Sequence, residues 1–149
     1  MAGDVRGELA MNTQQMLRTH PDVRGHESEQ LIRCIDECHA CAQVCTSCAD
    51  ACVAERSVER LRQCIRLDLD CADLCLTTAA LASRRTGSNE EVLRLTLEVC
   101  ALACRRCAEE CDKHASMHEH CRICAEACRS CQRACEEAVT DVGGGQQAH

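Results

Sequence analysis

Small apolar residues recur along this chain at intervals of three and four, and most of them are cysteines. In the stretch CIDECHACAQVCTSCADAC, from Cys34 to Cys52, six cysteines follow one another at steps of 4, 3, 4, 3 and 4. Such steps keep side chains on one face of an α-helix, and the spacing returns in three later segments. The pattern predicts four long helices, at about residues 28–54, 57–84, 89–114 and 117–140.

Residues that favour helix starts separate these segments. Ser57 precedes one helix, and Ser88 with Glu91 and Ser116 with Glu119 fit the capping box, in which two side chains satisfy free backbone N–H groups. A shorter helix is predicted at 12–19, stopped by Pro21, and Gly143 to Gly145 begin a tail that we expect to be flexible. The predicted organisation is an N-terminal segment at 1–26, a bundle at 27–140 and a tail at 141–149.

Short connections between long helices make neighbouring helices antiparallel, so the predicted fold is all-α, an up-down-up-down four-helix bundle preceded by a short N-terminal helix. The residues beside the cysteines are mostly charged or small, which leaves the cysteine face as the part to bury. Five leucines lie off the cysteine stripes and are expected at the helix flanks, or in a subunit interface: Leu67, Leu74, Leu76, Leu95 and Leu102.

Composition alone would suggest a secreted disulfide scaffold, because 18 of the 149 residues are cysteine and none is aromatic. The N-terminal sequence has no apolar run typical of an export signal, so we expect a cytosolic protein with reduced thiols. No segment approaches the roughly 20 apolar residues of a membrane span. The net charge of −7 is spread along the chain, so neither nucleic acid nor membrane is expected as a partner.

The spacing also bears on what the thiols do. Neighbours on a helix face have Cβ atoms about 5–6 Å apart, whereas a disulfide needs about 3.8 Å. A metal ion with bonds of about 2.3 Å to each of two sulfurs spans up to about 4.6 Å. A single buried cysteine is most often a small apolar residue, but 18 in register are poorly explained in that way. The stripes therefore indicate metal ligands.

Thiolates select Cu(I), zinc or iron–sulfur clusters. Zinc favours closed tetrahedral sites on short loops and clusters favour loop-borne cysteine motifs, whereas a helical ladder of paired thiols suits the low coordination numbers of Cu(I). About one monovalent ion per cysteine would also neutralise a buried set of thiolates. The predicted ligands are Cys34, Cys38, Cys41, Cys45, Cys48, Cys52, Cys64, Cys71, Cys75, Cys100, Cys104, Cys107, Cys111, Cys121, Cys124, Cys128, Cys131 and Cys135.

Three further residues are predicted as metal ligands. Asp68 occupies the stripe position between Cys64 and Cys71, and His114 follows Cys111 by three residues; the third residue is His118. The alternative for Asp68 is a side chain rotated toward solvent or toward the partner helix, and for the histidines a surface, capping or linker role.

The two ends of the predicted bundle differ. One end collects His114, Met117, His118 and His120, and copper is expected to enter there. His39 lies about 100° off its stripe and is expected in solvent. The opposite end is expected to hold an apolar plug formed by Thr77, Thr78, Leu81, Leu93 and Leu97.

The stripes, the segments CIDECHACAQVCTSCADAC and CRICAEACRSCQRAC and the intervening DKHASMHEHC resemble the bacterial copper storage proteins, from about residue 27 to 139. The resemblance implies a four-helix bundle that fills its interior with many Cu(I) ions, commonly as a homotetramer. Without a twin-arginine signal, the chain is similar to the cytosolic branch. The cysteines are unevenly distributed among the four predicted helices, because the helix at 57–84 has only three.

We therefore expect a cytosolic copper storage protein that is not an enzyme and binds about one Cu(I) per cysteine. The expected partners are copper ions, a copper chaperone as candidate donor, and further copies of the chain. Two alternatives stay open, a zinc or mixed soft-metal buffer and a thiol oxidoreductase. The second would need a CxxC pair at a helix N-terminus, whereas the pairs here lie inside helices.

Overall fold

The computed structural model describes residues 5–23, 25–26 and 28–146, with side chains at 12–23, 25–26 and 28–142. The described residues form helices joined by turns and short connections, without a β-strand. The predicted all-α fold with four long helices and a shorter N-terminal one is confirmed. The helices are α1 (Val5–Arg18), α2 (Glu29–Ala54), α3 (Arg62–Ser83), α4 (Glu90–Asp112) and α5 (Glu119–Gln146), with a 3-10 turn at Val58–Leu61 before α3.

Four helices enclose a central space, which we call the bore. Helix α2 packs against α3 and α5, and α4 packs against the same two helices, so the ring is closed. Cys34 of α2 contacts Cys135 of α5, whereas Cys45 contacts Cys124. These pairs run in opposite directions along the two helices, which makes α2 and α5 antiparallel. The sulfur contacts between α3 and α4 show the same opposite order. With the short connections and the closed ring, this gives the up-down-up-down arrangement.

Helix α1 lies outside the ring, against α2. The Thr13 hydroxyl donates a hydrogen bond of 2.6 Å to Asp36 Oδ1 on α2, and Leu17 is buried. The α1–α2 connection reaches the α3–α4 connection through His20 Nε2 and Thr86 Oγ1, 3.2 Å apart. Helix α1 and its connection therefore cover one end of the bundle. The helix is longer than predicted, beginning at Val5 rather than residue 12.

The helix starts differ from the predicted capping boxes. Helix α4 begins after Asn89, and α5 begins at Glu119, so Ser88 and Ser116 lie outside the cap positions. Ser57 precedes the 3-10 turn without a side-chain cap bond. Before α5, backbone bonds from Met117 N and His118 N to His114 O make a tight turn that replaces the side-chain cap. The capping serine that does act is Ser28, which accepts a bond of 3.1 Å from Leu31 N.

The core of the bundle is largely sulfur. Every one of the 18 cysteines is at most 1% exposed, as the stripes predict. At the end covered by α1, the side chains of Leu93, Leu97 and Thr78 continue the stripes and are buried, and Leu81 is half-buried. The prediction for Thr77 is wrong because the stripe steps from Cys75 to Thr78, which leaves Thr77 exposed. An apolar plug thus closes this end, the closed end.

Helix α5 extends past its predicted end at residue 140. It continues to Gln146, through the three glycines that were expected to begin the tail. Ala138 and Val142 extend the stripe from Cys135 and are buried, so the helix retains a packed face at the closed end. Residues 147–149 of the predicted tail lie outside the described part.

The five leucines that lie off the stripes divide into two groups. Leu67 and Leu74 are half-buried at the flanks, whereas Leu76, Leu95 and Leu102 are exposed. Across the residues described, none of the helices combines the length and apolarity needed to span a bilayer.

The plug should contribute strongly to stability. Leu97 is fully buried, so we expect Leu97→Ala to lower the free energy of unfolding by about 2–5 kcal/mol, through lost transfer energy and a residual cavity. Leu69→Ala is the control, since Leu69 is 46% exposed, and should change it by at most about 0.5 kcal/mol. Urea unfolding of the reduced, metal-free protein measures both. Equal losses in the two variants would contradict the assignment.

Candidate metal centre

The sulfur atoms in the bore form a ladder at close spacing. Across helices, Cys45 Sγ and Cys128 Sγ lie 3.5 Å apart, and Cys71 Sγ and Cys104 Sγ lie 3.6 Å apart. Along α2, Cys41 Sγ and Cys45 Sγ lie 3.8 Å apart. All 18 cysteines are free thiols. Two metal–sulfur bonds of about 2.3 Å span up to about 4.6 Å, so ions can bridge neighbouring thiols both along and across the helices.

The thiols also form groups of four that could each hold a metal ion. In each group, the four ligand atoms lie within 4.8 Å of one another. Some cysteines belong to more than one group, as Cys41 does, so the groups overlap along the axis of the bore. The groups include Cys38, Cys100, Cys131 and Cys135; Cys41, Cys45, Cys71 and Cys128; Cys41, Cys71, Cys75 and Cys104; and Cys45, Cys107, Cys124 and Cys128.

Asp68 occupies the gap in the ladder on α3. Its side chain is fully buried, so the solvent-facing alternative is wrong. Its Oδ1 accepts S–H bonds from Cys107 at 3.0 Å, Cys124 at 3.2 Å and Cys111 at 3.5 Å. Burial, reinforced by charge on Cys124, raises the pKa of Asp68 to about 8. The Asp68 carboxyl group is therefore readily protonated, and it lies among the thiols in the middle of the bore.

Two opposing effects act on the pKa values of the thiols, burial and hydrogen bonding. Burial raises the pKa of Cys121 to about 12, with further upward pressure from the charge of Cys64. At Cys34, S–H bonds donated by Cys135 and Cys38 stabilise the thiolate and lower its pKa to about 5. The bore can therefore hold thiolates only where neighbouring S–H groups solvate them. A soft cation replaces those protons as the neutralising charge.

Histidines gather at the end opposite the plug, which we call the open end. His120 Nδ1 lies 3.4 Å from Cys48 Sγ and 3.6 Å from Cys121 Sγ, so His120 completes a group of four with Cys48, Cys52 and Cys121. The sequence places His120 at this end but the predicted ligand set omits it. The step of four from His120 to Cys124 was the available signal, because it aligns the imidazole with the edge of the α5 stripe.

The other histidines occupy different positions. His118 Nδ1 lies 3.4 Å from Glu55 Oε2, and its ring stacks on that of His120 with centroids 5.4 Å apart. His114 Nε2 lies 2.9 Å from Glu110 Oε2, one turn earlier on α4. Met117 is exposed, and so is His39, as predicted. The structure thus brings His118 to the edge of the thiol ladder and pairs His114 with a carboxylate.

Comparison with known proteins gives consistent matches. A family model described as copper storage protein matches residues 27–140. The copper storage protein Ccsp from Streptomyces lividans, loaded with 10 copper equivalents, is 53% identical with a TM-score of 0.83, over 86% of this chain and 98% of that chain.

Two further solved structures are similar. A cytosolic copper storage protein from Streptomyces lividans with five coppers is 56% identical with a TM-score of 0.74, over 75% of this chain and 93% of that chain. The Cu(I)-bound copper storage protein BsCsp3 is 34% identical with a TM-score of 0.61, over 70% of this chain and 92% of that chain.

Asp68 should make the stability of the metal-free protein depend on pH. Between pH 4 and 8 the carboxyl is ionised in the unfolded chain but protonated in the fold, so the folded state binds the extra proton and stability falls as pH rises. From pH 5 to pH 7 this loss should be about 2.5 kcal/mol. Asn cannot ionise, so Asp68→Asn should remove that part of the slope.

The control is Asp73→Asn, on the exposed side of the same helix, which should keep the wild-type slope. Urea unfolding under reducing, metal-free conditions at the two pH values measures the effect. An unchanged slope in Asp68→Asn would show that Asp68 is ionised in the folded protein.

Proposed function

The chain belongs to the copper storage protein family, and from this we propose that it holds many Cu(I) ions on its core thiolates, about one per cysteine. The observation that carries the proposal is the continuous ladder of 18 free, buried thiols. A single catalytic or structural ion would need only four of them. A ladder in which every thiol has neighbours at bridging distance suits a cargo of many ions.

Charge and coordination favour a monovalent soft cation. Each Cu(I) neutralises one thiolate, so a one-to-one load leaves the bore without net charge, which a low-dielectric interior requires. With each thiolate bridging two ions, every ion has two sulfur ligands. A divalent ion at the same loading would leave one excess positive charge per ion inside the bore.

We propose that copper enters at the open end, where histidines meet the first thiols. His120 is within 4 Å of three sulfurs, and His118 stacks on it from outside. Asp68 lies deeper, among Cys107, Cys111 and Cys124. In this proposal, His118 and His114 guide ions to the ladder, and Asp68 provides an oxygen ligand as the first ions arrive. The plug makes the closed end unsuitable for passage.

The role of a store, rather than of an enzyme, is part of the proposal. A thiol oxidoreductase needs a thiol that a substrate disulfide can reach, whereas every thiol here is at most 1% exposed. A general zinc buffer is less favoured, since closed tetrahedral zinc sites typically draw their ligands from short, closely spaced motifs, whereas these thiols lie along continuous helices. We further propose a cytosolic location, as for the Streptomyces relative, with a copper chaperone as donor.

Copper loading should scale with the thiols. Anaerobic titration of the reduced protein with Cu(I) against a chromophoric chelator should show about 18 equivalents retained, one per cysteine. The double variant Cys41→Ser and Cys128→Ser should retain about two fewer. Ser47→Ala, exposed on the same helix as Cys41, should leave the capacity unchanged. Retention of only one or two ions by the unmodified protein would rule out storage.

We also propose that the chain assembles with copies of itself, as the family resemblance implies. Helix α4 carries an exposed apolar stripe at steps of three, four and three, the spacing of a helix–helix seam. It consists of Val92, Leu95, Val99 and Leu102, all between 43% and 51% exposed. Arg94 and Glu98 pair beside it at 3.1 Å. An identical helix is the natural partner, because its own stripe needs the same cover.

Val99→Glu should break this association by placing a charge in the apolar seam. Light scattering after size-exclusion chromatography should give an oligomer, with four chains expected from the resemblance, for the unmodified protein and a smaller species for the variant. Val53→Glu, on α2 and 60% exposed, is the control and should leave the mass unchanged. A monomeric unmodified protein would refute the proposal without affecting that of copper storage.

A further inference from the structure

Four ligand atoms at the open end are spaced for a tetrahedral ion. His120 Nδ1 lies 3.4 Å from Cys48 Sγ, 3.6 Å from Cys121 Sγ and 4.0 Å from Cys52 Sγ. The sulfurs of Cys48 and Cys52 are 4.0 Å apart. Tetrahedral zinc, with Zn–S near 2.3 Å and Zn–N near 2.0 Å, separates two sulfurs by about 3.8 Å and a nitrogen from a sulfur by about 3.5 Å. Three of the four separations lie within about 0.2 Å of these values, and the fourth, from His120 Nδ1 to Cys52 Sγ, is about 0.5 Å longer. All four ligand atoms lie within 4.8 Å of one another.

We propose that, in the copper-free protein, Cys48, Cys52, Cys121 and His120 form a zinc site at the open end, which differs in metal and coordination from the Cu(I) sites that the same thiols provide when copper is bound. The site draws its ligands from the end of α2 and the start of α5. Zinc at this position ties two antiparallel helices together where the bundle is open. The site itself does not rest on the copper-storage function.

Glu55 supplies the second layer of such a site. His120 Nε2 lies 3.3 Å from Glu55 Oε1, so the ring donates its Nε2 proton to the carboxylate and keeps the Nδ1 lone pair for the metal. Carboxylate–histidine–zinc arrangements fix the tautomer and orient the ring in this way. Glu55 Oε2 also contacts His118 Nδ1 at 3.4 Å, and the stacked His118 ring restricts His120 from its other face.

Charge selects this group over the all-cysteine groups deeper in the bore. Zn²⁺ with three thiolates and a neutral imidazole carries a net charge of −1, whereas Zn²⁺ in a group such as Cys38, Cys100, Cys131 and Cys135 carries −2. The deep group is fully buried, where each excess charge is costly. The His120 side chain is 25% exposed, so water screens the charge at the open end. One divalent ion per chain is therefore expected.

The site also predicts how zinc and copper exchange, a step that does rest on the proposed storage function. Two Cu(I) ions carry the same charge as one Zn²⁺, so they replace it on the three thiolates without proton transfer or oxidation. Because thiolates bind Cu(I) more tightly than Zn²⁺, copper arriving at the open end displaces the zinc. Copper-free protein thus holds zinc at the position through which copper must pass.

The test is titration of the reduced, metal-free protein with Co²⁺ under anaerobic conditions. One equivalent should give the intense visible bands of tetrahedral cobalt with sulfur ligands, and one equivalent of Zn²⁺ should abolish them. Zinc affinity is then measured against a chromophoric chelator. Glu55→Ala should weaken it about 10-fold to 100-fold, and Glu55→Gln, which keeps an acceptor, should recover part of the loss. Glu59→Ala, exposed nearby, is the control.

His120→Ala should lose the tetrahedral cobalt spectrum, while His39→Ala, an exposed histidine on α2, should retain it. Circular dichroism verifies that each variant is folded. Octahedral cobalt bands, or several equivalents bound equally well by His120→Ala, would overturn the site. The Cu(I) capacity is measured separately, so that a failure of the zinc site leaves storage standing and a low copper capacity leaves the zinc site standing. Cu(I) added to zinc-loaded protein should release one Zn²⁺ per chain.

Discussion

The structure depends on one constraint: the buried face of each bundle helix consists of thiols, and a buried set of thiols must remain close to electrically neutral. In the metal-free protein, protons provide that neutrality, and neighbouring S–H groups solvate the few thiolates, as at Cys34. Soft monovalent ions provide it in the loaded protein. Both states use the same side chains at the same spacing, because 3.5–4.0 Å suits an S–H···S contact as well as a bridging ion.

The helical backbone protects this arrangement from oxidation within a helix. Cysteines three or four residues apart cannot bring their sulfurs to bonding distance without unwinding a turn. Small thiols fill a long bundle poorly, however, so the packing that stabilises it lies elsewhere. Leu93, Leu97 and Val142 at the closed end, with Leu17 from α1, provide apolar contacts that do not depend on metal.

The helices, their antiparallel order and the inward position of every cysteine could be predicted because a 3.6-residue period fixes which side chains share a face. Asp68 could be placed for the same reason. The capping boxes at Ser88 and Ser116 failed because local sequence does not reveal how a connection folds, and at His114–His118 backbone bonds replace the side-chain cap. The predicted ligand set omits His120, although its step of four to Cys124 was a signal in the sequence; its contact with Glu55, 65 positions earlier, is visible only in the fold.

The two ends of the bore differ in the side chains that continue the cysteine stripes, and this difference favours the proposed entry of metal at the open end. At the closed end, the stripes pass from cysteine to leucine, threonine and alanine, and α1 covers them, so the stripes offer a cation no thiol or imidazole there. At the open end, they pass from cysteine to histidine, and a carboxylate stands behind each of His114, His118 and His120. Imidazole is a weaker partner for Cu(I) than a bridging thiolate, so in the proposed entry route the affinity for Cu(I) would rise from the open end inward. An ion bound at His120 would then move to the deeper thiols, and its release by the same route would need a competing ligand outside the bundle.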